Sequence, residues 1–100
     1  MSIGVDLIAA ERERQVSVEG WTESHDASVH DSDDLAMAAS LYAMPQRKRH
    51  ADMLWWLWPW DASWWKPTPQ DRIRELVKAG ALIAAEIDRL KMAGDLSGGK

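Results

Sequence analysis

No cysteine and no phenylalanine occur in this chain, and tyrosine occurs once. Without cysteine there is no disulfide framework, no thiolate metal site and no cysteine nucleophile, which fits a reducing compartment. Long apolar runs are missing as well: none approaches the roughly 18 residues that span a bilayer. The first residues carry neither the basic segment nor the apolar stretch of a secretory signal. A cytoplasmic protein with no membrane partner is therefore the expectation. A broad basic surface is also lacking, because the net charge is −4. Binding to duplex nucleic acid, which needs such a footprint, is not expected.

One hundred residues predict a single small domain, 1–100, with a modest core. An apolar share of 46% beside 28% charged residues is ordinary for a globular chain. The charge is unevenly spread. Residues 1–44 hold nine acids and two bases, whereas residues 45–66 hold four bases and two acids. A small anionic ligand needs only a local basic cluster of the second kind.

Residues 3–19, IGVDLIAAERERQVSVE, read as a first helix with Val5, Ile8 and Ala9 inward and the ERER run on the solvated side. Gly20 supplies a left-handed stop. The polar, acidic stretch 21–34 reads as a loop. At its end Asp31 or Ser32 caps a second helix over 33–44, with Asp33 and Asp34 at its positive end. Leu35, Ala38, Ala39 and Tyr42 recur there at helical spacing, and Pro45 ends it. A third helix over 69–93 opens on TPQD, with Thr68 as cap, Pro69 in the first position and Asp71 facing back. Its apolar positions Ile73, Leu76, Val77, Gly80, Ile83, Ala84, Ile87 and Leu90 follow a helical period. Glu75 with Lys78 and Asp88 with Lys91 pair on its other side. Gly80 predicts a close crossing with the alanine-rich second helix. Gly94 ends the third helix, and residues 95–100 read as a disordered tail. The expected fold is all-α, with main helices at about 3–19, 33–44 and 69–93 and an irregular tryptophan-rich segment, 54–67, between the second and third.

That segment, LWWLWPWDASWWKP, holds six of the seven tryptophans. Pro59 and Pro67 forbid one continuous helix through it, and Asp61-Ala62-Ser63 can open a single turn carrying Trp64 and Trp65. Two or three of the rings can plug the open end of a small bundle, each removing about 150–250 Å² from water. Six cannot all point inward from one loop, so the rest are left for another subunit or a planar ligand. Basic residues border the rings. Trp55, Trp56, Trp58, Trp60, Trp64, Trp65 and Tyr42 are candidates to stack a base, with Arg47, Arg49 and Lys66 as phosphate contacts. The same RKR run, Arg47 to Arg49, also reads as a solvated loop offsetting the acidic first part. His25 or Asp26 is the candidate for the ribose hydroxyls. The cluster His25, Asp26, His30, Asp31, Asp33 and Asp34 has the residue types of a divalent metal site. On a loop the spacing imposes no geometry, and helix capping already accounts for several of these acids; no metal or cofactor is assigned.

Catalysis finds little here. There is no glycine-flanked nucleophile turn and no phosphate-cradling glycine loop. Small helical nucleotide hydrolases hold magnesium with pairs of acids one turn apart. Glu11 and Glu13, like Glu86 and Asp88, lie two apart and read as solvated faces. No catalytic residue is assigned.

The elements ERERQVSVEGWT, HD followed by LAMAASLYA, WPWDASWWKP and RELVKAGALIAAEIDRL cover roughly residues 8–91. Together they resemble a group of short proteins encoded by phages and prophages. The DSDDLA entry to the second helix and the QRKRHADML connection depart from that group's pattern. The resemblance implies action in a host cell's cytoplasm and carries no catalytic residues. By analogy of size and setting, the expected function is a homo-oligomeric sponge that sequesters a nucleotide-derived immune messenger, cyclic or ADP-ribose-like, without catalysis. Two alternatives stand beside it: an interaction module whose tryptophan-rich loop inhibits a host protein, and a small all-α metal-dependent nucleotide hydrolase.

Overall fold

The computed structural model describes residues 2–19 and 33–92. Among them the chain is all-α, with four α-helices and two single 3₁₀ turns: α1 (Ile3–Glu19), α2 (Asp34–Ala43), α3 (Ala51–Leu57) and α4 (Arg72–Met92), with 3₁₀ turns at Gln46–Lys48 and Ala62–Trp64. None of the described helices is long and apolar enough to cross a membrane. The expected stops at Gly20 and Gly94, the caps Asp31 and Ser32, and the 95–100 tail lie outside the described residues.

Ser2 opens α1, its hydroxyl accepting from Val5 N–H at 3.1 Å. Ahead of α2, Asp33 takes a left-handed conformation with φ 68°, and its carbonyl accepts from Met37 N–H at 2.9 Å. Asparagine and aspartate tolerate this region better than most residues. Extended backbone at Met44 ends α2 ahead of Pro45, as a residue preceding proline favours. The start of α4 differs from the sequence expectation. Thr68 to Asp71 form a turn closed by Asp71 N–H to Thr68 O at 2.8 Å, and Asp71 Oδ1 accepts from Arg74 N–H at 3.1 Å. Asp71 is thus the capping residue and the helix begins three residues later than expected, because a carboxylate three residues before a free N–H satisfies it directly.

The core lies between α2 and α4. Leu35, Ala38, Ala39 and Tyr42 of α2, at the helical spacing read from the sequence, meet Ala79, Leu82 and Ala85 of α4. Alanine on both sides lets the two backbones approach. This corrects the face assigned to α4. Val77 is buried, but Ile73, Leu76, Ile83 and Ile87 are exposed, and the buried positions include Ala79, Ala81, Leu82, Ala85 and Glu86. The helix carries two apolar sides, and the one with small residues took the inner place.

Gly80 serves a different neighbour from the one expected. A Cβ built there would lie 2.7 Å from Ile8 Cγ1 and closer still to Ile8 Cδ1, so the close crossing is with α1. Around that crossing α1 is polar. Glu11 and Gln15 are buried, and Glu11 accepts from Arg14 at 2.8 Å and from Arg74 at 2.8 Å. Arg12 pairs with Asp88 at 3.3 Å, and Glu86 is buried against Arg89 at 2.8 Å. Glu11 and Glu86 are therefore not solvated faces: arginine partners within one turn or across the crossing make their burial tolerable.

Glu75 is likewise buried instead of pairing outward with Lys78. It accepts from Arg49 at 2.9 Å, Arg72 at 3.1 Å and Thr68 N–H at 3.0 Å. Those two arginines in turn cap the end of α2. Arg49 donates to Leu41 O at 3.1 Å, and Arg72 donates to the carbonyls of Tyr42, Ala43 and Met44. Carbonyls that the helix itself leaves unpaired are satisfied this way. The knot of Glu75, Arg49 and Arg72 fixes where the chain leaves α2 for the tryptophan segment.

Candidate functional site

The tryptophan segment is more ordered than its prolines suggest. Its first residues, with Trp55 and Trp56, belong to α3, a helix not expected from the sequence. Pro59 follows that helix and turns the chain. Asp61 Oδ1 then accepts from Ser63 N–H at 2.8 Å and starts the single turn carrying Trp64. That same hydrogen bond holds the Asp61 carboxyl below its usual range. Trp58 Nε1 donates to Asp61 O at 2.9 Å, folding the segment back on itself.

Three of the rings, Trp58, Trp60 and Trp65, pack against the core. Tyr42 is their anchor. Its ring lies 4.6 Å from Trp65 and 5.9 Å from Trp58, and Trp58 meets Trp60 edge-on at 5.2 Å. The Tyr42 hydroxyl accepts from Lys66 N–H at 3.0 Å, while Lys78 Nζ donates to Lys66 O at 2.7 Å. Both bonds hold the backbone of Lys66 in place beside the rings. Burial raises the Tyr42 pKa, more than the Lys66 hydrogen bond lowers it.

Between this aromatic layer and the α1–α4 crossing runs a groove of about 790 Å³. Tyr42, Trp58, Trp60 and Trp64 line it together with Arg14, Gln15, Arg74 and Lys78, and Lys66 and Glu11 are also on its surface. Burial alone would raise the Glu11 pKa, but the hydrogen bonds from Arg14 and Arg74 outweigh it and hold the carboxylate below its ordinary range. The Lys78 pKa is also lowered, by burial first and then by the nearby charge of Arg74. Its ammonium lies 5.4 Å from the Tyr42 ring centre, a cation–π contact. Four cations face one carboxylate here, so the groove favours an anion. At its edge Gln15 is buried, and its Oε1 has no hydrogen-bond partner. A buried acceptor left unpaired costs free energy.

The structure gathers some of the expected site residues and separates others. Trp58, Trp60, Trp64, Tyr42 and Lys66 line the groove. Trp65 does not line it: it stacks behind Tyr42 with the Arg49 guanidinium 5.4 Å from its ring centre. Arg49 is tied to Glu75 and Leu41 O rather than offered as a phosphate contact. Arg47, on the first 3₁₀ turn, and Trp55 and Trp56, on α3, stand exposed outside the groove. His25, Asp26, His30 and Asp31 lie outside the described residues. Among the described residues no three acids or imidazoles converge as metal ligands would.

Arg14, Arg74 and Lys78 were missed by the sequence reading. Arg74 and Lys78 are four residues apart and share one helical face, as do Glu11 and Gln15. That spacing was the available signal, and it was hidden by assigning the charged positions of both helices to solvent. The chain matches no family model, no curated protein and no solved structure. Any functional reading therefore stands on the groove itself.

Proposed function

We propose that this protein is a phage-encoded counter-defence sponge that binds and sequesters a nucleotide-derived immune messenger without transforming it. One observation carries the reading: aromatic rings and cations line a single groove. A nucleotide needs both, a π-face for its base and cations for its phosphates. Trp60 and Trp64 are the candidates for the base, with ring centres 6.5 Å apart and planes inclined at 46°. Trp64, 54% exposed, offers an open ring face for a base to stack on. Lys66, Arg74 and Lys78 then meet the phosphates. The acid that lines this groove supports binding over hydrolysis, since Glu11 is already paired with two arginines.

Tryptophan emission and melting temperature, measured against cyclic dinucleotides, ADP-ribose derivatives and ordinary nucleotides, test this reading. Binding should quench emission, and a ligand at 100 times its Kd should stabilise the fold by about 2.7 kcal/mol. Heat release should return the ligand unchanged. Trp64→Ala should cost about 1–3 kcal/mol of binding, the value of one base–aromatic stack. Quenching with altered ligand would replace the sponge by an enzyme.

A second reading is favoured by Trp55 and Trp56, which are 88% and 68% exposed on α3. Exposed tryptophan is typical of protein-binding hot spots. Silence across the whole ligand panel would leave that surface, gripping a host protein, as the better account.

A further inference from the structure

On the side of α4 away from α2, the molecule shows an aliphatic face that its own fold does not cover. Ile73, Leu76, Ile83 and Ile87 of α4 lie on one stripe at helical spacing. All four, with Ile3, Val5 and Leu7 of α1, are between 41 and 77% exposed. The crossing of α1 over Gly80 leaves a recess on each side. One is lined by Leu7, Ala10, Ile73 and Val77, with Glu11, Arg14, Asp71 and Arg74 around them. The other, of about 690 Å³, is lined by Val5, Ile8, Ala9, Val16 and Ala84, with Arg12, Glu13 and Asp88 around them. Ridge and recess therefore alternate along the same face.

We infer that this face, built from α1 and the outer stripe of α4, is the contact surface for a second copy of the chain. The inference goes beyond the ligand reading and does not depend on it. The stretches 20–32 and 93–100 hold Trp21, Val29 and Leu96 as their large apolar residues, fewer than the seven aliphatic residues of the face. A second copy brings a complementary set, ridges for recesses and aliphatic for aliphatic, and a two-fold pairing uses the same patch on both sides. The size also fits. Seven half-exposed aliphatic residues give several hundred square ångströms of apolar surface, large for a solvent-facing patch. With the polar rim that normally surrounds such a centre, the face approaches the roughly 800 Å² per partner of a stable dimer. The salt-linked pair of Arg12 and Asp88, at 3.3 Å beside the larger recess, belongs to that rim.

The test is the mass of the full chain in solution by light scattering and sedimentation, for the wild type, Ile83→Glu/Ile87→Glu and the milder Ile87→Gln. A wild type of two or more copies, reduced to one by the double substitution with helical circular dichroism unchanged, is the expected result. Since both side chains face solvent in the single chain, folding is expected to survive. If the glutamates prevent folding, Ile87→Gln decides, by raising the concentration at which half the chains are paired at least tenfold. Three results would overturn the inference: a wild type of one copy at hundreds of micromolar, an assembly indifferent to both variants, or an assembly broken by Trp55→Ser/Trp56→Ser instead.

Discussion

α2 and α1 both pack on α4, and they do so with opposite chemistry. α2 brings Leu35, Ala38, Ala39 and Tyr42 to a seam of Ala79, Leu82 and Ala85. α1 brings Ile8 to Gly80 and also meets α4 through the ion pairs of Glu11 with Arg74 and Arg12 with Asp88. The first seam is dry and depends on burial of apolar area; the second is a small apolar contact ringed by ion pairs. Apolar packing is largely indifferent to pH, whereas ion pairs respond to it. Because the groove lies between α1 and the aromatic layer, its width depends on the more sensitive of the two seams.

The largest effect is expected on the dry seam. Leu35 has no exposed area, and Leu35→Ala should cost about 2–5 kcal/mol through lost transfer energy and a cavity. Denaturant unfolding measures this. The contrast predicts that the transition stays cooperative and that groove and core are lost together. Loss of the groove at lower denaturant than the core would place the main support of α1 elsewhere.

How much of this contrast was legible beforehand follows from the same residues. The α2 seam was readable because Leu35, Ala38, Ala39 and Tyr42 repeat at i, i+3, i+4, i+7, and apolar periodicity reports burial wherever the buried face is apolar. The polar seam of α1 was not readable by that rule. Glu11 and Gln15 also repeat at i, i+4, but charged residues are assigned to water unless their partners are known, and Arg74 lies 63 positions away. α4 misled for a further reason. It has an aliphatic stripe and an alanine stripe, and size alone favoured the wrong one as the core face. In the tryptophan segment, prolines correctly forbade a single helix, but the seven-residue α3 ahead of Pro59 went unseen behind them. Half of the groove was visible as rings in sequence; its cationic half comes from two helices that only the fold brings together.

A substitution at the crossing sharpens the comparison with a medium effect. Gly80→Leu inserts atoms into the space held by Ile8, and overpacking of this kind costs about 1–3 kcal/mol. Ile8→Ala alone should also destabilise by removing the contact. Combined with Gly80→Leu it should recover part of the loss, giving a coupling of about 0.5–3 kcal/mol in a double-mutant cycle. Strict additivity would show that the two residues do not touch.

The smallest effect concerns the charges around that crossing, and it isolates what is peculiar to α1. Burial would raise the Glu11 pKa, but Arg14 and Arg74 lower it below its ordinary value of 4.5. With a folded pKa below the unfolded one, the unfolded chain takes up the proton first as acidity rises. The stabilisation from Glu11 is therefore complete above the unfolded value and fades as pH falls through the folded one. Glu75 is lowered for the same kind of reason, its burial outweighed by Arg49, Arg72 and Thr68 N–H, so acid weakens the α2 end as well. Glu11→Gln separates the two. It keeps the shape, removes the charge from α1 and leaves Glu75 titrating. Amide hydrogen exchange of α1 should lose protection in the wild type as pH drops below 4.5. In Glu11→Gln that protection should already be reduced at neutral pH and change less with acid, while the pH response of α2 is unaltered. Equal acid responses of α1 in the two proteins would mean that Ile8 on Gly80, rather than the ion pairs, holds α1 against the groove.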